Sequence, residues 1–463
     1  MDTLAIHAVM MQAWTDEWSH LEAELAQELS PASSGRVLTP LLETVRQVAV
    51  AGFPAWLLRH EHAESPLVHD GQKLRFKRTD PKKFRTPLGP VTVERRVFPH
   101  DLGGPTFVPI DAAWGMGGPT ATPEVREAAA FAMGLMTAAE ATHLLAKVAL
   151  VRLGETSLKK LADQVGDWFE THPETVVAVR EAEAIPEETQ VLWASLDGTN
   201  VRLKEPGPKP GRPAAGDDGE LAPTCFENAM VGTVSCYGQA TLKSAGPERL
   251  QTRCVARMPE EKSPTFHAEF EAEGAATVAR CDPTVIEVLV LDAAKGLWHY
   301  VASRPLCAGF EKSVDFYRAA EPLSTASEAL FGKGTARAQE WAAKHRTLLL
   351  SDDGAARRVA RAIRSAARRP LPAWARKEAA TPRRFFAQHA DRMTYASFRA
   401  RGLPIGSGPV EAAGKTLVKQ RLGRSGMRWT REGGQHVLTI RTLIKSERWN
   451  AAWKNYREAA LAA

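Results

Sequence analysis

Between Pro404 and Trp429 the chain reads PIGSGPVEAAGKTLVKQRLGRSGMRW. One acid, Glu411, stands at its head, and Lys415, Lys419, Arg421, Arg424 and Arg428 follow. On a regular helix Lys415 and Lys419, at i+4 and i+8, would share the face of Glu411. Two more carboxylates sit in apolar runs: Asp197 in QVLWASLDGTNVRLK (190–204) and Asp292 in TVIEVLVLDAAKGLW. Each acid has an ordinary reading. Asp197 before Gly198 can close a strand-end turn, Asp292 can cap a helix, and Glu411 can complement a helix dipole. Brought together, however, three carboxylates repel one another and cost several kcal/mol in desolvation unless cations neutralise them. Hard divalent ions, Mg²⁺ or Mn²⁺, prefer such oxygen ligands. Two of them about 3.5–4 Å apart can activate a water or a 3′-hydroxyl and stabilise the leaving oxygen. The cations behind Glu411 could then hold backbone phosphates. Trp429 could stack on a base or pack into a core.

Only a fold can unite acids so far apart in the chain. Residues 1–60 have helical apolar spacing, and QKLRFKRTDPKKFRTPLGPVTVERRVF alternates as a small β element. HDLGGPTFVPIDAAWGMGGPTATP reads as loop, and helices resume at Glu124. TAAEATHLLAKVALVRLGETSLKKLADQVGDWF has the layout of a helix-turn-helix or of two packed helices. Its first helix should end near Leu150, and Thr156 could cap a second that bears Lys159 and Lys160. From 190 the order is strand, strand, strand, a helix opened by Ser263 and Pro264, a buried strand ending in Asp292, helix, and a short strand in KSVDFYRAA. A Pro/Gly loop, EPGPKPGRPAAGDDGELAP, interrupts the first two strands, and residues 319–400 are almost wholly helical.

That order predicts an α/β core of the ribonuclease-H-like kind: a mixed five-stranded sheet with helices and an all-helical insertion. The first and fourth strands then lie side by side, and a final helix brings in the third carboxylate. The expected segments begin with 1–120, helical with the small β element, and 121–188, helical. The core opens over 189–318, is interrupted by the insertion at 319–400, and is completed by 401–463, which carries the Glu411 helix.

Charge is unevenly spread over the 463 residues, whose net is +6. The first 35 carry six acids and no Lys or Arg, whereas 357–384 carries ten cations, Arg361 and Arg364 among them, against Glu378. Such a run is a solvated helix face or a phosphate-binding surface. No stretch of about 18 apolar residues offers a membrane span, and the acidic N-terminus is unlike a signal peptide. Cys225, Cys236, Cys254, Cys281 and Cys307 are scattered without a CxxC pair, as reduced thiols of a cytoplasmic protein would be.

The motifs LDGTNV, KPGRP, ENAMVGTVSCYG, ARMPEEKSPTF, LDAAKGLW, VDFYRAAE, LPIGSGPVEAAGKTLVKQRLGRSGMRW and GGQHVLTIRTLIKSERWNAAW resemble those of the ISKra-type bacterial insertion-sequence transposases. The resemblance spans about residues 80–455 and implies a DDE transposase. Asp197, Asp292 and Glu411 would hold two Mg²⁺ or Mn²⁺ ions. The enzyme would cleave duplex DNA at the element's terminal inverted repeats and join the ends to target DNA. A homodimer or larger assembly on DNA is implied, nucleoid-associated in a bacterial cytoplasm. Three departures stand out: Asp292-Ala293-Ala294 for the common Asp-Gly-Ala, Arg318 where a His is usual after DFY, and no cysteine pair in VFPHDLGGPTFVPID. The last implies that residues 84–111 hold their shape by packing. A domesticated, non-cutting DNA-binding relative and a ribonuclease-H-like nuclease that does not join strands remain alternatives.

Overall fold

Apolar residues alternate along β4 (Gly89–Val97), paired in register with β3 (Arg78–Thr86), so that Val91, Val93 and Val97 point inward while Thr92 and Glu94 face out. The computed structural model describes residues 3–26, 31–100, 106–116, 120–148, 152–204, 226–240 and 246–462; the Pro/Gly loop 205–223 lies outside them. The chain divides into two units, Met1–Thr171 with Trp449–Ala463, and His172–Arg448.

The first unit begins with α1 (Thr3–Leu25) and α2 (Pro31–Leu58), then a short hairpin, β1 (Leu67–His69) with β2 (Gln72–Leu74), before β3 and β4. Helices α3 (Pro109–Ala113), α4 (Pro123–Leu135), α5 (Ala138–Val148) and α6 (Glu155–Thr171) follow. Leu150, where the helix α5 was expected to end, lies outside the described residues. Phe84, Val91 and Val93 pack with Leu57, Ile110 and Met116. Buried Asp111 accepts from Lys82 Nζ at 3.1 Å and Arg95 Nη1 at 2.6 Å. Packing and this ion pair thus hold the described part of 84–111. The stripe Leu158, Leu161, Ala162, Val165 and Phe169 seats α6. The C-terminal helix Trp449–Ala462 adds Tyr456, whose hydroxyl accepts from Arg126 at 2.8 Å. Helix α6 opens at Glu155, so Thr156 lies within its first turn and does not cap it; Lys159 pairs with Glu155 at 3.3 Å and Lys160 is exposed.

In the second unit α7 (Pro173–Ala182) precedes β5 (Val191–Arg202), β6 (Phe226–Ala240) and β7 (Pro247–Arg257). Next come α8 (Pro264–Val278), β8 (Ile286–Leu291), α9 (Lys295–Ala302) and β9 (Glu311–Val314). The strands form one mixed five-stranded sheet in the order β7-β6-β5-β8-β9, with β6 antiparallel to both β7 and β5, β8 parallel to β5, and β9 parallel to β8. Pro264 sits in the first turn of α8 as expected, but Ser263, at φ 51°, makes no side-chain cap. The strand expected in KSVDFYRAA ends at Val314, because Asp315 caps α10 (Phe316–Phe331). Helices α11 (Ala336–Ser351), α12 (Ala355–Ala366), α13 (Ala373–Gln388) and α14 (Tyr395–Ala400) complete the helical stretch. A final group, α15 (Gly408–Ala413), a π-helical turn Gly414–Lys419, α16 (Gln420–Leu422) and α17 (Arg431–Lys445), closes the unit.

Period-2 alternation gives the sheet two apolar faces. Leu192, Ala194 and Leu196 of β5 pack with Phe266, Phe270 and the helices after β9. Val191 and Trp193 join Val288 and Val290 of β8 on the other face, under Leu417, Val418 and Leu422. A buried ion cluster ties the rim. Arg448 donates to Glu273 at 2.7 Å and to Glu183 at 2.6 Å, and Arg253 also meets Glu183. Removing Glu273 takes two charge-assisted bonds from Arg448 and leaves it to Glu183, so Glu273→Ala is expected to destabilise this unit by about 1.5–3 kcal/mol. Chemical denaturation of wild type and variant, read through far-ultraviolet circular dichroism, measures it.

Candidate active site

Strand pairing sets the position of the two aspartates. Val191 lies opposite Ile286 and Ala194 opposite Leu289 in parallel register. Carried three residues further, that register puts Asp197 level with Asp292, one residue beyond the end of β8. Both follow the parity of Val191, Trp193, Val288 and Val290, so both face the side of the sheet covered by the helix of Glu411. Adjacent parallel strands with matched parity therefore bring two acids to one edge, and the covering helix adds the third.

Asp197 is half-buried at mid-strand, where its Oδ1 accepts from Gly198 N at 2.7 Å. Its carboxyl lies above the usual range. Loss of solvent is the main cause, opposed by the Gly198 bond and the charge of Arg318 and reinforced by Asp292 and Glu411. Asp292 accepts from the next backbone N–H, and its own carbonyl takes Trp298 Nε1 at 2.8 Å. Glu411 is half-exposed, its Oε1 3.8 Å from Arg318 Nε. Burial works against the charge on Arg318, but Asp292, Glu321, Glu411 and Asp197 outweigh it and hold this guanidinium above its ordinary pKa. Arg318 is thus the counter-charge of the cluster. A histidine also stands within electrostatic reach of Asp292: His389, its pKa lowered by burial and by Arg392 and partly restored by Asp292.

The turn before Glu411 is clamped from the end of β9. Asp315 is 1% exposed and accepts from Arg318 N at 2.9 Å and from both the backbone N–H and the hydroxyl of Ser407. Phe316 N donates to Ile405 O at 2.9 Å alongside. A Cβ at Gly406 would come within 2.8 Å of the ring of Tyr317, an exposed side chain that would have to shift to admit it. Asp315 and Ser407 were inside motifs the sequence singled out, yet no spacing rule pairs them.

The helix of Glu411 is not uniform. It widens to a π turn at Gly414–Lys419, so the simple i, i+4, i+8 spacing of Glu411, Lys415 and Lys419 does not hold. A Cβ at Gly414 would lie 2.6 Å from Thr199 Oγ1, so glycine lets this turn sit against β5. Arg441 of α17 is buried and donates through Nε to Thr416 O at 2.6 Å; burial, with some help from Arg424, brings its pKa down to about 10. Lys415 and Lys419 remain exposed, Lys419 reaching Asn200 O at 3.1 Å.

Two expected DNA contacts are corrected by their burial. Arg421 is only 2% exposed and lies 5.0 Å from the Trp429 ring, so it cannot reach a phosphate. Trp429, half-buried, packs at the edge of the core, donates from Nε1 to Leu422 O at 3.1 Å and bridges Leu203 through its backbone, which favours the packing reading over stacking on a base. Arg424 and Arg428 are exposed, as are Arg361 and Arg364. In α12 the buried face is Ala355, Ala356, Val359, Ala360 and Ile363, which turns the arginines outward. Arg357 and Arg358 pair with Asp391 and Asp352, whereas Arg364 lines an open groove with Arg368, Arg376 and Arg383.

The three acids, all oxygen donors, are of the type that holds a hard divalent ion. Among the described residues no three His, Cys, Asp or Glu side chains stand close enough to ligate one ion, and Arg318 supplies the positive charge there. Among the described residues no helix is long and apolar enough to cross a membrane.

Two outcomes test this geometry. A carboxyl raised by folding stabilises the fold only while protonated, and that contribution is lost as pH rises through the carboxyl range. Asp197→Asn is therefore expected to be more stable than wild type at neutral pH, with the advantage shrinking on acidification; melting temperature against pH measures it. Asp315→Asn places an amide against N–H donors and should cost about 1.5–3 kcal/mol of local stability. Hydrogen exchange at Ser407 should accelerate roughly 10- to 150-fold.

No protein-family model matches this chain. No curated protein matches it either. Among solved structures, the Drosophila P element transposase strand transfer complex is similar to it at 11% sequence identity, over 74% of this chain and 83% of that one, with a TM-score of 0.25. A likeness that slight carries no assignment.

Proposed function

We propose that this chain is a DDE transposase of the ISKra type, with a ribonuclease-H-like core, acting on the terminal inverted repeats of its own element. The observation that carries this reading is the shared register and parity of Asp197 and Asp292 beneath the helix of Glu411. The strand order supports it, with three antiparallel strands followed by two parallel ones and a helical insertion before the Glu411 helix.

Asp197, Asp292 and Glu411 would have to draw closer together than they stand here, in place of the charge of Arg318, to hold the divalent ions. Bound there, such an ion supplies an activated oxygen nucleophile and neutralises the phosphate under attack. The half-burial of Asp197 limits water at this edge, and the Asp315–Ser407 clamp fixes the approach of Glu411. Hydrolysis of one phosphodiester at the element's end leaves a 3′-hydroxyl. That oxygen then attacks a target phosphorus, and the new P–O bond forms as the target's own 3′-oxygen leaves. Lys415 and Lys419 of the π turn, Arg424 and Arg428 in the loop after α16, and Arg361 and Arg364 on α12 would contact backbone phosphates, independently of sequence and sensitively to salt. Processing of both ends together calls for at least a dimer on DNA.

One observation favours a second reading. Arg318 already balances the cluster, as a DNA-binding relative that no longer cuts would need. The discriminating experiment is cleavage of a labelled element end with Mg²⁺ or Mn²⁺. Wild type should cut and join the end to target DNA. Glu411→Gln and Asp197→Asn should lower cleavage at least about a thousandfold, the equivalent of about 4 kcal/mol, while duplex affinity stays within a few-fold. A wild type that binds and never cuts establishes the second reading, and cut ends that are never joined establish a nuclease.

A further inference from the structure

The first unit contains a cleft of about 740 Å³ that the reaction above does not use. Its walls are α2, the tip of the β3–β4 hairpin, and the segment just before α6, which bring Glu43, Arg46, Lys83, Arg85 and Arg152 to one opening. Strand alternation explains the hairpin's share. Phe84 is fully buried, so Lys83 and Arg85 on either side of it point outward together. Their cross-strand partners are Thr92 and Pro90, so no carboxylate faces them across the hairpin. Backbone bonds from Arg85 N to Thr120 O (2.7 Å) and from Thr122 N to Arg85 O (2.9 Å) fix this strand from its other side.

The one acid among its described lining residues, Glu43, is already engaged. Glu43 Oε2 accepts from Arg46 Nε at 2.9 Å, and the bonding to Arg46 is the main cause that holds its carboxyl below the ordinary range. Arg46 in turn donates to Leu88 O at 2.6 Å, pinning the hairpin turn to α2. Gly89, at φ 114°, leaves room for this guanidinium, since a Cβ there would lie 2.6 Å from Arg46 Nη1. Arg46 and Glu43 therefore cancel and act as scaffold. Lys83, Arg85 and Arg152 are exposed, with no carboxylate at ion-pair distance among the described residues. Lys82 and Arg95, by contrast, are both satisfied by Asp111. Arg152 stands within electrostatic reach of Glu43, but that acid is shared with Arg46, so the opening keeps an excess of positive charge, and its cations repel one another unless an anion sits between them. Among the described residues the lining has no aromatic ring on which a base could stack, which favours a sugar-phosphate backbone over a free nucleotide.

We infer that this cleft binds the phosphate backbone of duplex DNA through Lys83, Arg85 and Arg152, giving the first unit a DNA contact of its own. The inference rests on the DNA-acting reading above. The test is titration of the full chain into a labelled duplex of arbitrary sequence at several salt concentrations. The Lys83→Ala/Arg85→Ala/Arg152→Ala variant should lose about tenfold or more in affinity, and its log K against log salt slope should be shallower by about 2–3. The charge-preserving Lys83→Arg/Arg85→Lys/Arg152→Lys variant should keep the wild-type slope. If the triple alanine variant melts early, Lys83→Gln alone should still reduce the slope by about 1. An unchanged slope in variants of wild-type melting temperature overturns the cleft and leaves the proposed function standing. Wild type that binds no duplex overturns both. Inorganic phosphate that raises the melting temperature of wild type but not of the triple variant, with equal duplex affinities, makes this a small-anion site and overturns the duplex assignment.

Discussion

Parallel hydrogen bonding between β5 and β8 is the constraint on which the candidate site depends. Because pairing is in register from Val191–Ile286 to Ala194–Leu289, Asp197 and Asp292 come level without any direct bond between them. A slip of one residue would turn either aspartate to the opposite face, into the apolar layer with Leu192, Ala194 and Leu196. The apolar neighbours that fix the register, Trp193 and Val290 on one face and Leu196 and Leu289 on the other, therefore also fix the geometry of the acids.

Acids held this way are costly, and the surrounding charges show how the fold tolerates them. Arg318 lies within reach of Asp197, Asp292 and Glu411, and each of them raises its pKa. It is supplied by the first turn of α10, and that turn is capped by Asp315, which also grips Ser407. One buried carboxylate thus positions both the counter-charge and the loop leading to Glu411. Its two oxygens meet three donors, Arg318 N and the backbone N–H and hydroxyl of Ser407.

The basic helix after Glu411 is less uniform than its composition. Its cations divide by burial: Arg421 and the incoming Arg441 serve the interior, while Lys415, Lys419, Arg424 and Arg428 face solvent. Arg441 is tied to the π turn, where its guanidinium bonds Thr416 O. Trp429 belongs to the same inward layer, with Arg421 near its ring and its indole N–H on Leu422 O. The charge of a basic stretch therefore overstates the surface it offers a polyanion.

Much of this was legible in the residues themselves. The apolar runs in QVLWASLDGTNV and VIEVLVLD marked two interior strands, and the order of elements placed their neighbours. Three acids were legible as candidates because each interrupts an apolar or basic context. What periodicity could not reach were pairings across long separations: Asp315 with Ser407, Arg441 with Thr416, Arg318 with Glu411. It also misread the end of β9, where DFYR looked like strand, because a capping aspartate is a local signal that only the following helix makes decisive. The cleft of the first unit was invisible for the same reason, since its cations come from a strand and a distant connection. Local sequence determined which residues face inward along each element, because that depends on a repeat of two or 3.6 residues. Only the tertiary structure decided which charges meet, because Coulomb energy depends on distance in space and on the solvent excluded between them.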